Sequence, residues 1–482
     1  MIKKLLFICL FLNTINSFSQ DLVNYTPIEL KRNRDVFQIV NNTKKETTLF
    51  ISDKQKVKAL VLNEKMQIID SISAERPNIK LYDNMIGYNT NKMNARLYWS
   101  SNDYKQIFSQ LYNFQTRKIV IHQYTLPFKD EIHLQKFSSE DKFYILTVIK
   151  KSNLFKLHIF DQGGKYETRI IDLSNSRFYK SNYTKTNLYG IFAENLLPFE
   201  SPFSLQNIIS ENPTSITDGA KKRKCYFSNN QLIITLDANV DYTQLITIDL
   251  KNFTATEKVI GKPIILIIPR TDLNSNSFYF DHKLYQIKSS SDSFFFTIKD
   301  LDGNNLKEFH VDAGSPIDFK NSEIYQEGGD FGGKRILETS SQFIRKINSL
   351  NSGISCYHLG ENTLITLGGV SAQKNTGAEV VAFSAFGLVG GIALATIYYY
   401  NPTMDSFNSY NNRKVVKIES LFDKDNNHVK TELKPLAFDK IRTFFDDITD
   451  VSSQTLFKMD SNYYLGYYDN TTKEYIIRKF AD

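Results

Sequence analysis

The chain has 482 residues, 41% of them hydrophobic, enough for one large all-β domain or two to three ordinary domains; intrinsic disorder is excluded as its ground state. Its formal charge is +7, of which Lys3 and Lys4 supply two, and the remainder is too mild for a dedicated nucleic-acid partner. The 36 Phe and 27 Tyr residues, set against a single Trp at position 99, favour strands, where wide side chains fit a pleated, half-buried surface.

Residues 1–20, MIKKLLFICLFLNTINSFSQ, have a basic start, an apolar run from Leu5 to Leu12 and small residues at Ser17 and Ser19. That layout is a secretory signal peptide cleaved after Ser19 or Gln20, so these residues are set aside from the fold. The apolar run is too short to stay as a comfortable anchor. Cys9 lies inside it, without the small-residue-then-Cys ending of a lipoprotein signal. The expected location is periplasmic, cell-surface or secreted.

From residue 21 to 482 one event recurs: an apolar strand ends in a polar turn and a second strand leaves it. It occurs at Val61–Ile69, Leu111–Val120, Ile159–Thr168, Ile248–Thr256, Ile298–Phe309, Leu421–Lys430 and Tyr467–Ile476. Upstream of most of these turns lies another strand joined by a short polar loop, as in KFYILTVIKKSNLFKLHIFD and QLIITLDANVDYTQLITIDL. A three- or four-stranded unit repeated at this spacing cannot cover its own apolar faces and needs neighbours on both sides. The pattern resembles β-propeller repeat proteins, and the composition and leader resemble those of secreted Bacteroidota-type proteins. The resemblance implies an all-β, single-domain propeller of six to eight blades, seven favoured. Tandem β-sandwich domains are the alternative, since they space strands similarly. Gly-His and Trp-Asp pairs of WD repeats are missing, and the resemblance names no activity.

Along the chain, the basic run Lys221–Lys224 is expected to be a solvated loop. Cys225 and Cys356 are either a disulfide or two buried thiols, since sequence cannot show whether they meet. DLDGNNLKE at Asp300–Glu308 begins like a calcium loop, but Gly303 comes too early and Glu308 too soon, so a hairpin turn is expected; DKDNNH at Asp423–His428 is treated likewise. The glycine-rich GGDFGGKR, Gly328–Arg335, matches no phosphate-binding motif and is expected to lead flexibly into an amphipathic helix over 334–350 carrying Ile336, Leu337, Phe343, Ile344, Ile347 and Leu350 on one face.

The stretch from Val380 to Tyr400 carries no charge. It lies in an apolar, Gly-containing insertion, 371–413, between a strand within Ile354–Val370 and another within Lys414–Lys430. If those two strands pair, a membrane-spanning helix between them would put partners on opposite sides of a bilayer, so a span is not expected. The insertion caps the fold as core, or offers an apolar face to an unknown protein, an envelope component or a membrane surface; Phe383, Phe386, Leu388, Ile392 and Tyr398 are the candidate contacts.

No H-E-x-x-H, Cys-x-x-Cys or G-x-S-x-G motif occurs, so no catalytic residue, metal ligand or cofactor is assigned. The expectation is a non-catalytic exported binding or scaffolding protein, the alternative a secreted hydrolase or lyase with its site at the axial mouth of the propeller.

Overall fold

A computed structural model describes residues 20–28, 35–91, 94–139, 141–228, 230–265, 272–328, 333–372, 401–409, 413–448 and 450–482. Hairpin follows hairpin almost throughout. After β1 (Gln20–Pro27) comes a meander of β2 (Asp35–Asn41), β3 (Glu46–Ser52), β4 (Lys56–Leu62) and β5 (Ile68–Glu75). A second follows, β6 (Asn84–Thr90), β7 (Asn94–Ser100), β8 (Gln106–Asn113) and β9 (Lys118–Thr125). The third is β10 (Glu131–Ser138), β11 (Lys142–Ile149), β12 (Leu154–Asp161) and β13 (Tyr166–Asp172). A short ribbon, β14 (Phe178–Tyr179) and β15 (Lys185–Thr186), leads to α1 (Leu188–Phe192). The fourth sheet holds β16 (Gln206–Ile208), then, after α2 (Ile216–Gly219), β17 (Arg223–Ser228), β18 (Gln231–Leu236), β19 (Tyr242–Asp249) and β20 (Thr254–Gly261). The fifth is β21 (Asn274–Phe280), β22 (Lys283–Ser289), β23 (Ser293–Asp300) and β24 (Asn305–Asp312).

The last two sheets are not contiguous in sequence. The sixth takes β25 (Ile324–Glu327) and β26 (Lys334–Leu337), then α3 (Ser340–Ser349), β27 (Asn351–Leu359), β28 (Asn362–Val370), α4 (Pro402–Asn408) and β29 (Val415–Phe422); its strand order is β26-β25-β29-β28-β27. After α5 (Ala437–Asp447), the seventh sheet is β30 (Val451–Met459), β31 (Asn462–Asp469) and β32 (Glu474–Ala481), completed by β1 in the order β1-β32-β31-β30. The described residues thus form seven sheets of four or five strands, an all-β fold of the β-propeller class. In the first five, successive hairpins stay in one sheet instead of crossing to a facing one, which separates the fold from the sandwich alternative.

Chain contacts divide the described residues into two units: one of residues up to Arg76 and from Lys434 onward, the other of most of the chain between. In the smaller unit the first and seventh sheets share a core that includes Leu49, Leu60, Phe457, Tyr464 and Ile477. The larger unit holds the other five sheets, with apolar clusters built from neighbouring pairs and triples of them.

Burial explains which strands take which sequence. Middle strands such as β11 (FYILTV) are buried on both faces and read as unbroken apolar runs. The edge strands β9, β13, β20 and β24 are exposed or half-buried along most of their length, with at most one buried residue each. Each of the seven turns expected from sequence has an Asn or Asp at the strand end: Asn63, Asn113, Asp161, Asp249, Asp300, Asp423 and Asp469. Their side chains accept backbone N–H groups two to four residues on. Asp300 and Asp423 therefore act as turn residues, each accepting two of the amides that follow.

Three local expectations are corrected. Lys334–Leu337 is strand, and the helix covers only Ser340–Ser349, capped by Thr339 and burying Phe343, Ile344 and Ile347. The glycine-rich stretch lies between β25 and β26, its residues 329–332 outside the described residues, and its ends meet: Gly328 N donates to the Gly333 carbonyl at 3.0 Å. With φ +66 it lies so close to the Arg413 carbonyl that a Cβ would approach to 2.5 Å. The turn after β29 leads to no full strand, only a bridge between Phe422 and His428, because β25 already occupies that edge.

The strands on either side of the insertion are partners. β28 and β29 run antiparallel from Thr363↔Phe422 to Val370↔Val415, and Ser371 N donates to the Lys414 carbonyl at 2.9 Å. The insertion is therefore an elaborated hairpin connection that starts and ends at one end of the sheet. Among the described residues no helix is long and apolar enough to cross a membrane. Thr366 and Glu419 face each other in this ladder. Thr366→Cys with Glu419→Cys should therefore form a disulfide under mild oxidation, read as a non-reducing gel shift; a chain that stays reduced would contradict the register.

Candidate functional site

Segment 215–224 carries an unusual density of buried polar contacts. Ser215 caps α2, accepting from Asp218 N at 3.1 Å. The helix is pressed against β27 backbone to backbone: a Cβ on Gly219 would lie 2.4 Å from the Ile354 carbonyl, and one on Gly353 2.8 Å from that of Ile216. Neither position accepts a side chain, which fixes how the chain enters β17.

The basic run expected to be solvated is instead built in. Lys221 donates to the Phe199 carbonyl and lies 4.8 Å from the centre of the Phe199 ring, with Arg413 over the same ring at 4.5 Å. Lys222 Nζ donates to the Ser275 carbonyl at 2.6 Å, and its backbone N to Glu200 Oε2 at 2.7 Å. Arg223, wholly buried, pairs through Nε with Glu200 Oε1 at 2.8 Å and donates to the carbonyls of Phe192 and Ser201. Lys224 Nζ reaches Asp237 Oδ2 at 3.2 Å and Asn276 Oδ1 at 2.8 Å.

Asp237 is the hub. Lys262 Nζ reaches its Oδ1 at 2.9 Å, and Thr243 and Ser277 donate hydroxyls at 2.8 and 2.7 Å. Burial would raise this carboxyl, but Lys262, Lys224 and the Ser277 hydroxyl outweigh it and hold it well below the usual carboxylate range. Burial lowers both paired ammonium groups, with Asp237 opposing. Burial, followed by the charge of Lys262, lowers Lys222 to about 7.

A second group of polar residues lies where the insertion meets the sheet. Asn401 caps α4, which buries Met404 and Phe407; Ser409 donates to Ser215 Oγ at 2.9 Å, and Asn212 to Thr403 Oγ1 at 3.3 Å. Arg413 donates to the Ser371 carbonyl at 3.3 Å. Burial pushes Asp218 up to about 6 against the pull of Ser409, Lys221 and Arg413. Asp405, on α4, is exposed; desolvation and the charge of Asp218 raise its carboxyl and Lys136 opposes them.

The candidate contacts Phe383, Phe386, Leu388, Ile392 and Tyr398 lie outside the described residues. Cys225 and Cys356 are free, buried thiols that burial pushes up. His158, fully buried, lies between Glu131 Oε2 and the Tyr166 hydroxyl, 2.9 Å from each, and Glu131 also takes Thr147 and Lys156. That network staples the third sheet from within. Among the described residues no cluster of His, Cys, Asp or Glu could hold a metal ion.

The cation cluster had a readable signal. In KKRKCYFSNNQLIITLD a turn at Ser228–Gln231 pairs Arg223 with Leu236, and Asp237 N then donates to the Lys222 carbonyl at 2.7 Å. The hairpin register alone therefore brings Asp237 beside the lysines.

No family model matches the sequence, and no curated protein matches it. Solved structures similar in part include an oligogalacturonate lyase in complex with manganese (8% identity, 96% of this chain and 97% of that one, TM-score 0.35). Another is the β-propeller domain of Nup133 from Vanderwaltozyma polyspora (9%, 96% and 97%, TM-score 0.34). A prolyl endopeptidase matches 91% of this chain at 8% identity and a TM-score of 0.32, but the match spans only 46% of its own length.

Three substitutions test the electrostatics. Asp237→Asn leaves buried ammonium groups without a carboxylate and should cost about 3–5 kcal/mol, read as a lower urea midpoint at unchanged slope. Adding Lys262→Met should restore part of the loss. Asp218 titrates higher in the folded than in the unfolded chain, so the folded state binds the extra proton and stability falls as pH rises from about 4 to about 6. Asp218→Asn should therefore melt higher than the parent at pH 8, with the difference closing toward pH 4.

Proposed function

We propose that this β-propeller-class chain is an exported binding or scaffolding protein of the cell envelope or exterior, making its contact through the insertion 371–413. The observation that carries the reading is the insertion's base. Ser371 and Lys414 are held together across the end of the β28–β29 ladder, and α4 is clasped to the cap of α2 through Ser409 and Ser215. A long apolar segment leaving from so fixed a base is suited to presentation to a partner, because the stems lose little further freedom on binding. The leader-like residues 1–20 support export, and the partner class is an envelope protein or a membrane surface.

Replacing residues 372–413 by an Asn-Gly turn closes the hairpin at a pair already in hydrogen-bond register. This variant should fold and lose recovery by envelope vesicles and in envelope pull-downs. Because the replacement also removes Met404 and Phe407 from the core, a second variant replaces Phe383, Phe386, Leu388, Ile392 and Tyr398 by Ser and keeps α4. Undiminished recovery of that folded variant would overturn the proposal. Asp218→Asn with Asp405→Asn should leave recovery intact, and loss of recovery there would move the contact to the carboxyls.

A further inference from the structure

The second and third sheets meet at the turn between β12 and β13, and a series of side chains from the second sheet ends on its backbone. Asn89 donates to the Phe160 carbonyl at 3.1 Å, the Tyr98 hydroxyl to that of Asp161 at 3.3 Å and the Tyr124 hydroxyl to that of Gly164 at 2.9 Å. Arg96 of β7, wholly buried, donates to the Gln162 carbonyl through Nε at 3.2 Å and Nη2 at 3.0 Å. Its Nη1 donates to Ser109 Oγ at 2.8 Å and to Nδ1 of His122, on β9, at 3.0 Å. Among the described residues no carboxylate is bonded to this guanidinium. His122 is half-buried and lies on the turn itself, so close that a Cβ on Gly164 would come within 2.5 Å of its ring. A guanidinium has only donors; the Nδ1 it contacts is therefore the bare, accepting nitrogen, and the ring is neutral.

We propose that His122 is an acid-sensitive latch between the second and third sheets: neutral, it accepts Arg96 and lies closed on the β12–β13 turn; protonated, it loses that bond, is repelled by Arg96 and releases the turn. Protonation would set two cations against each other across the 3.0 Å that now holds a hydrogen bond. The charged groups facing the ring are Arg96 from β7 and Asp161 from the end of β12; Lys165, in the same turn, gives its ammonium to Glu167 at 3.1 Å. From β8 the ring faces the Ser109 hydroxyl, and beside it on β9 stands Tyr124, whose hydroxyl burial raises above its ordinary range and keeps neutral. Burial and then Arg96 lower the ring from its ordinary value of 6.5, with Asp161 opposing. The closed joint therefore binds fewer protons than the open one: the latch is complete above about pH 6.5 and weakens as the pH falls below it. The fifth sheet carries the same turn without the histidine. Gly303 N donates to the Asp300 carbonyl at 3.2 Å as Gly164 N does to that of Asp161 at 3.2 Å, and the two glycines have φ +91 and +89. There the side chain nearest the glycine is Ile260, which cannot titrate.

Amide hydrogen exchange on the intact chain reads the latch directly, since it reports local opening. The protection of Gly164 and Lys165, taken relative to Gly303 and Asn304 so that the intrinsic pH dependence cancels, should fall severalfold from pH 7.5 to pH 5.5. His122→Gln, whose amide oxygen can still accept from Arg96 but takes up no proton, should fold and give the same ratio at both pH values. By NMR the His122 ring of the parent chain should carry its proton on Nε2 at pH 7.5 and titrate below 6.5. A ratio in the parent chain that does not change with pH would overturn the proposal, as would a ring protonated on Nδ1 at pH 7.5, a ring that titrates at or above the ordinary value, or an undiminished fall of the ratio in folded His122→Gln.

Discussion

Eight consecutive residue pairs between β28 and β29 are the constraint from which the reading of the insertion follows. An antiparallel ladder fixes both the direction and the spacing of its strands, and a slip by one residue would turn every side chain to the opposite face. Once Val370 lies opposite Val415, everything between them has to leave and return at the same end of the sixth sheet. A stretch whose composition alone suggests a bilayer span thus lies in the connection between two strands paired in one sheet. Hydropathy describes a segment, but the pairing of its flanks decides its topology.

The seven turns were legible because their cause is local. An Asn or Asp at the end of a strand satisfies the next amides with its own side chain, and this leaves a mark in the sequence wherever it occurs, from Asn63 to Asp469. Strand order was less legible. The turn at Asp423 carries the same mark as that at Asp300, yet β24 follows the one and only an isolated bridge follows the other. The difference lies in β25, which occupies the edge of β29 from an earlier point in the chain. In the same way β1 fills the outer edge beside β32, a pairing between opposite ends of the sequence that no local pattern announces. The helix was overextended at its start because Ile336 and Leu337 continue an apolar spacing that the β25–β26 hairpin claims first.

The basic run failed for a different reason. Read alone, four cations imply water, since isolated buried charge is expensive. Arg223 pairs with Glu200 before it and Lys224 with Asp237 after it, Lys221 and Lys222 turn to the carbonyls of Phe199 and Ser275, and a further cation, Lys262, reaches Asp237 across the sheet. The hairpin register predicts the nearness of Asp237; the arrival of Glu200 and Lys262 depends on chain paths that sequence does not state. A buried cluster with more ammonium groups than carboxylates is a costly arrangement for stability alone, since apolar side chains of similar volume are often neutral or better in such places.

The two polar groups are also one piece of chain. Ser215, bound to Ser409 beside α4, and Lys224, bound to Asp237, stand at the two ends of ten residues pinned in the middle by the contact of Gly219 with Ile354. A displacement of α4 would therefore have to be absorbed within Ser215–Ala220 or passed to the lysines. The close backbone contact at Gly219, which leaves no room for a Cβ, makes this stretch stiff, because packed interiors are nearly incompressible and transmit strain. The base of the insertion and the lysine cluster are therefore joined through one short, pinned stretch of chain.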